Sequence, residues 1–151
     1  MQNEFAALSA EYWDGFANGL EAALATVDGD DAAVRTMSAA HAGGKVYFAT
    51  FTGSAKFGQM RNNPKVALCH GATRLQGVAR HLGDGGAPES ELAMQALRSA
   101  FPEDTDKFGA LPGLAVFEIA PTNGEFASKK NGALYALDFQ ARTARKIDMP
   151  G

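Results

Sequence analysis

The chain has 151 residues, 46% apolar and 21% charged, with a net charge of -3 at pH 7 and a pI of about 5.6. That length suits one globular domain with a real core, and two domains would each be cramped. The acidic balance, without basic runs interleaved with aromatics, argues against nucleic acid or an anionic membrane as partner, and no run of about 18 apolar residues is present to span a bilayer.

The opening MQNEFAALSAEYWDG carries acids and no basic leader, so it does not read as a secretory signal. Within residues 1–20, Phe5, Leu8, Tyr12, Phe16 and Leu20 recur at three- and four-residue steps and predict an amphipathic helix, with a break near Trp13-Asp14-Gly15. LEAALATV then ends in a strand at Leu24 to Val27, DGDD at 28–31 is a turn, and Ala33 to Ala40 is a second strand paired with the first as a hairpin. His41 to Gly44 turns into a third strand, Lys45 to Thr50. Ser54 to Asn62 reads as a short helix stopped by Asn63-Pro64.

Lys65 to His70 and Arg74 to Leu82 are the next strands. Cys69, the single cysteine, cannot form an internal disulfide and reads as a buried, inert thiol within VALC. Taken with the missing leader, it suggests a cytoplasmic protein. A helix starting near Pro88 should present Leu92, Ala96, Leu97, Ala100 and Phe101 as one apolar face and end at Pro102. PEDTDKFGALPG reads as a polar loop, Leu114 to Ala120 as a strand closed by Pro121, and Asn123-Gly124 and Lys129 to Gly132 as turns. ALYALDFQ and TARKID read as closing strands. Six to eight short strands with two or three helices give a mostly β fold, a largely antiparallel barrel with flanking helices. It forms one domain over residues 1–151: a helical segment (1–20), the barrel core (22–121) and C-terminal strands (122–151).

The stretch YFATFTGSAKFGQMRNNPKVAL concentrates chemistry where a strand becomes a helix. Ser54 is placed to cap the helix. The free amides of a helix N-terminus carry about half a positive charge, which favours anions. Lys56 adds a full cation in the first turn, where the dipole disfavours it unless an anion docks there. Thr50 and Thr52 offer further donors, and Gly53 permits close backbone approach. Arg35 is an isolated charge in a run of small and apolar residues, and the hairpin would carry it toward Thr50. A planar guanidinium suits a phosphate.

Other chemistries lack their residues. His41, His70 and His81 have no metal-ligand spacing, and Asp28, Asp30 and Asp31 lack the glycine and terminal glutamate of a calcium loop. There is no G-x-S-x-G elbow for a serine hydrolase and no G-x-x-x-x-G-K-[ST] triphosphate loop. Met37, Met60 and Met94 read as packing.

Taken in order, ALATVDGDDAAVRTMSAA, KVYFATFTGSAKFGQMRNNPKVALC and RLQGVARHL resemble the pyridoxamine 5'-phosphate oxidase-like proteins, the FMN-binding split barrels. The resemblance covers most of residues 20–121. It implies that Arg35, Ser54 and Lys56 hold the FMN phosphate and that Thr36, Met37 and Ser38 line the flavin. Thr50 matches the threonine at the strand end, Thr52 is a weaker counterpart, and Gln76 lies near the ring. It implies a homodimer with two sites at its interface, and a flavin-dependent oxidoreductase that reduces a small electrophile, with NAD(P)H as candidate electron source. Where the true oxidase has further cations, this chain has Ala40 and Ala55. It also lacks that enzyme's C-terminal tryptophan and arginine, which argues against vitamin-B6 oxidation. A deazaflavin, haem or no cofactor remain alternatives, as does a binding or sensing protein on the same scaffold.

Overall fold

The chain's hairpins set its architecture. In the computed structural model, which describes residues 2–148 with side chains from Glu4 onward, Asp28 pairs with Asp31 across the two-residue turn Gly29-Asp30. Gly43 and Gly44 both take positive φ, 60° and 76°, in the next turn. That is the conformation a right-twisted two-residue hairpin demands, and glycine adopts it without strain. Met1 and residues 149–151, the outermost parts of the expected terminal segments, lie outside the described residues.

Eight antiparallel strands result: β1 Leu20–Asp28, β2 Asp31–Ala42, β3 Lys45–Phe51, β4 Lys65–His70, β5 Thr73–Gly83, β6 Leu114–Ser128, β7 Ala133–Asp138 and β8 Thr143–Ile147. Their order is β3-β2-β1-β4-β5-β6-β7-β8, and β3 also pairs with β6. That pairing closes six strands into a barrel and leaves β7 and β8 as an extension of β6. The helices are α1 Gln2–Asp14, α2 Ala55–Asn62, α3 Glu91–Ala100 and α4 Pro102–Phe108. None is long and apolar enough to cross a membrane.

The period-2 alternation of each strand sorts its residues between two cores. Leu20, Ala22, Leu24, Val46, Phe48, Val66, Leu68, Leu75, Phe117 and Ile119 fill the barrel, joined by Met60 of α2 and by Phe5, Leu8 and Tyr12 of α1. Phe48 and Phe117 face each other across the closing seam, centroids 5.3 Å apart. Outside the barrel, Ala40, Tyr47, Leu114 and Val116 receive Ala93, Met94 and Leu97 of α3.

Several expectations change. Cys69 is exposed, because Val66 and Leu68 take the barrel side of β4 and Cys69 takes the other. Leu92 is 52% exposed, since α3 turns Ala93, Met94 and Leu97 inward instead. The segment after Pro102 is helical rather than a loop. Proline at the first helical position, Glu103 and Asp104 in the first turn and Lys107 in the last all favour a short helix. Pro121 does not end its strand, and Asn123-Gly124 is not a turn; β6 runs through both. The proline sits at a register shift, where Gln76 pairs with Asn123 but Gly77 with Pro121. A bulge is a place where a strand tolerates a residue without an N–H. Gly77 is required there: a Cβ would stand 2.5 Å from the carbonyl oxygen of Ala120.

Candidate functional site: a cation pair beside a cleft

The end of β3 and the start of α2 form the capped junction expected from the sequence. Ser54 has extended backbone (φ -79°, ψ 153°). Its Oγ accepts from the Phe57 amide at 3.4 Å and lies 2.9 Å from the Thr50 hydroxyl. A buried Thr50 thus fixes the cap that starts the helix.

Arg35 lies on the barrel-side row of β2, opposite Leu24, while Thr36 and Ser38 belong to the other face. Its guanidinium reaches α2. Nη1 donates to the Thr26 hydroxyl at 2.7 Å and to the Leu24 carbonyl at 3.2 Å, and Nη2 donates to Gln59 Oε1 at 2.7 Å. The Thr26 hydroxyl in turn donates to the same Gln59 oxygen at 2.6 Å. Arg35, Thr26 and Gln59 therefore form a closed ring that fixes the guanidinium against the helix. Sequence reasoning missed Thr26 and Gln59. The signals were present: Thr26 is the lone polar residue of the inward row Leu20, Ala22, Leu24, Thr26, and Gln59 lies three residues after Lys56, on the same helical face.

Lys56 projects from the first turn of α2. Burial, and then the nearby charge of Arg35, hold its amine below the usual lysine range. Burial also lowers Arg35, which stays charged all the same. Among the described residues, neither is ion-paired with a carboxylate. The carboxylates that do form pairs lie elsewhere, as with Glu118, nearly buried between Lys45 at 3.4 Å and Arg80 at 3.6 Å.

Lys56 also lines a cleft of about 330 Å³ between the outer face of the barrel and the α3–α4 corner. Thr36, Met37 and Ser38 line the same cleft, together with apolar side chains such as Met94 and Phe101. Thr52 stays outside it; that residue is exposed and its amide donates to the Gly113 carbonyl. Gln76 lies elsewhere too, in a broader concavity of about 630 Å³ that it shares with Arg74 and Asn123. The structure thus joins Thr50 to Ser54 and Lys56 to residues 36–38; Arg35 lies near enough for its charge to act on Lys56 but faces Thr26 and Gln59 and does not line the cleft, and Thr52 and Gln76 lie apart. No group of three or more metal-ligating side chains occurs among the described residues.

Comparison with known proteins bears on the same segments. Residues 14–128 match the family described as pyridoxamine 5'-phosphate oxidase. No curated protein sequence matches the chain. Among solved structures, the heme binding protein from Mycobacterium smegmatis superposes with a TM-score of 0.71 at 15% identity, covering 91% of this chain and 59% of that one. General stress protein 26 from Bacillus anthracis gives 0.61 at 21%, with 78% and 91% covered. A FAD-binding protein from Mesorhizobium loti gives 0.55 at 18%, with 69% and 82% covered. At such identities these likenesses speak for the fold alone, whereas the family match takes in every strand that closes the barrel. The chain belongs to the pyridoxamine 5'-phosphate oxidase-like split-barrel family.

Proposed function

We propose that this protein binds FMN and acts as a flavin-dependent oxidoreductase on a small electrophile. The observation that carries the reading is the cation pair itself. Two partly desolvated positive groups meet one helix, Lys56 in its first turn and Arg35 bonded to Gln59 a turn later, and among the described residues neither pairs with a carboxylate. A phosphate dianion would relieve that repulsion and accept from the free amides of α2. The residues fit such a group: Lys56 offers an ammonium that is in no ion pair among the described residues, and Arg35 keeps Nε uncommitted among the hydrogen bonds its guanidinium makes. Ser54 holds the helix end in place. The backbone of Thr36 to Ser38 would then lie along the ring.

Bound FMN supplies hydride and single-electron chemistry, so the protein needs no nucleophile or general acid of its own. What its residues supply is grip on the phosphate, orientation of the ring by β2, and an apolar wall from α3 that excludes water. Haem is the less favoured ligand, because no histidine or cysteine lines the cleft. A homodimer is part of the proposal. The concavity that holds Gln76 is open and carries exposed Val34 and small residues such as Ala23 and Ala67, a surface suited to a second copy.

Purified protein titrated with FMN tests the reading through flavin fluorescence quenching, with NADH and NADPH then added anaerobically. Arg35→Ala and Lys56→Ala should together weaken FMN by roughly 2–5 kcal/mol. Affinity unchanged in both variants sinks the assignment. Binding without reduction by either nicotinamide would leave a flavin carrier. Sedimentation tests the dimer.

A further inference from the structure

We infer that the outer edge of β8 is a docking site for an extended acidic segment of a partner protein, which joins the sheet as a further strand. β8 is last in the sheet order and pairs only with β7, whereas β3 at the other end is closed against β6. Among the described residues, no other backbone group bonds to β8, and Thr143, Arg145 and Lys146 are exposed. The β7–β8 hairpin lies beyond residues 14–128, the part that the family match covers. Its charge also differs from that of the whole. Residues 129–148 hold Lys129, Lys130, Arg142, Arg145 and Lys146 against two acids, Asp138 and Asp148, in a chain of net charge -3. Asp138 Oδ1 accepts from the amides of Gln140 and Ala141. Among the described residues, none of the five cations is in an ion pair. They are spread along the hairpin. Arg142 precedes β8, Arg145 and Lys146 lie within it, and the turn with Lys129 and Lys130 stands at the end where Leu134 meets Ile147.

Free main-chain groups on a sheet edge give an extended peptide its hydrogen bonds, and the flanking side chains select which peptide. Cations along this edge select carboxylates. They also decide against a second copy of β8, because the same row of cations would then face itself. A nucleic acid or an anionic membrane would meet the cations but leave the N–H and C=O groups of the edge unpaired. The site is separate from those described above. The concavity offered to a second copy takes the face of the sheet rather than its edge, and the edge shares no residue with the Lys56 cleft.

The test uses the whole protein labelled with ¹⁵N and a capped synthetic peptide that alternates threonine and glutamate; threonine favours the extended form. Counterparts carry glutamine or lysine in place of glutamate, or are N-methylated through the centre. The amides of Thr143 to Ile147 are followed by chemical shift and by hydrogen exchange. The expected result is saturable binding of the glutamate peptide, with the fast-exchanging amides of β8 becoming protected. The glutamine peptide should bind about tenfold more weakly, and the N-methylated peptide should protect no amide. Lys146→Gln should weaken the glutamate peptide about threefold. Arg142→Glu with Lys146→Glu should lose that peptide and take the lysine one instead. Equal affinity for the glutamate and glutamine peptides, binding without protection of β8, or a reversed variant that still prefers glutamate overturns the proposal. Slow exchange throughout β8 in the free protein that quickens on dilution also overturns it, since a second copy would then hold the edge. So does oligothymidylate that binds as tightly as the glutamate peptide and displaces it, which would give the cations to nucleic acid.

Discussion

Burial, and then the charge of nearby Arg35, depress Lys56, although the two come from different elements and, among the described residues, share no acidic partner. Like charges held together in a partly desolvated place destabilise a fold. Replacing Lys56 by methionine should therefore leave thermal stability unchanged or slightly higher in phosphate-free buffer. Added phosphate should raise the melting temperature of the wild type and not of Lys56→Met. Calorimetry in the two buffers checks this, and a wild type indifferent to phosphate would count against an anion site.

Gln59 accepts from both Arg35 and Thr26. Gln59→Leu keeps the volume but removes the acceptor, leaving a guanidinium arm and a buried hydroxyl without that partner. A cost of about 1–3 kcal/mol is expected in urea denaturation, together with weaker FMN binding, because Arg35 loses its anchor. Gln59→Glu should keep the acceptor and add a negative charge, so it should fold normally and bind FMN less well still.

His41 stacks on Trp13 with ring centroids 4.3 Å apart, and its Nε2 accepts from the Gly44 amide at 3.1 Å. Burial pushes its pKa below the ordinary value of 6.5. Between the folded value and 6.5 the unfolded chain binds more protons, so stability rises with pH across that window. The contribution is complete above about pH 6.5 and is lost as pH falls through the folded value. Melting temperatures from about pH 8 down to 5 should fall more steeply for wild type than for His41→Gln.

Gly77→Ala would place a methyl against the Ala120 carbonyl at the bulge. The strand pair must shift to accept it, and a loss of about 1–3 kcal/mol is expected. Ala79→Gly, two residues on and facing the same core, removes a methyl without a clash and should cost less than half as much. Parallel urea curves separate the two.

The barrel was legible because its strands alternate cleanly and its turns carry glycine or aspartate where the backbone needs them. The Ser54 cap was legible because a capping hydroxyl acts within three residues of its own position. What the sequence hid were properties set by distant partners. Pro121 continues a strand because the bulge opposite Gln76 and Gly77 absorbs it. Cys69 is exposed because its neighbours claim the barrel side. Gln59 joins the site only when α2 folds back over β1, and the split between Gln76 and the Lys56 cleft follows from which face of which strand each occupies.

The closing seam between β3 and β6 has a kinetic consequence. Val46 meets Ile119 and Phe51 meets Leu114, so every bond of the seam joins residues more than sixty positions apart in the chain. The hairpins β1–β2 and β4–β5 can form locally, but the seam must wait for a long loop to close. Folding should accordingly be slow for a domain of this size, and Phe48 and Phe117, stacked across that seam, should gain their contact late.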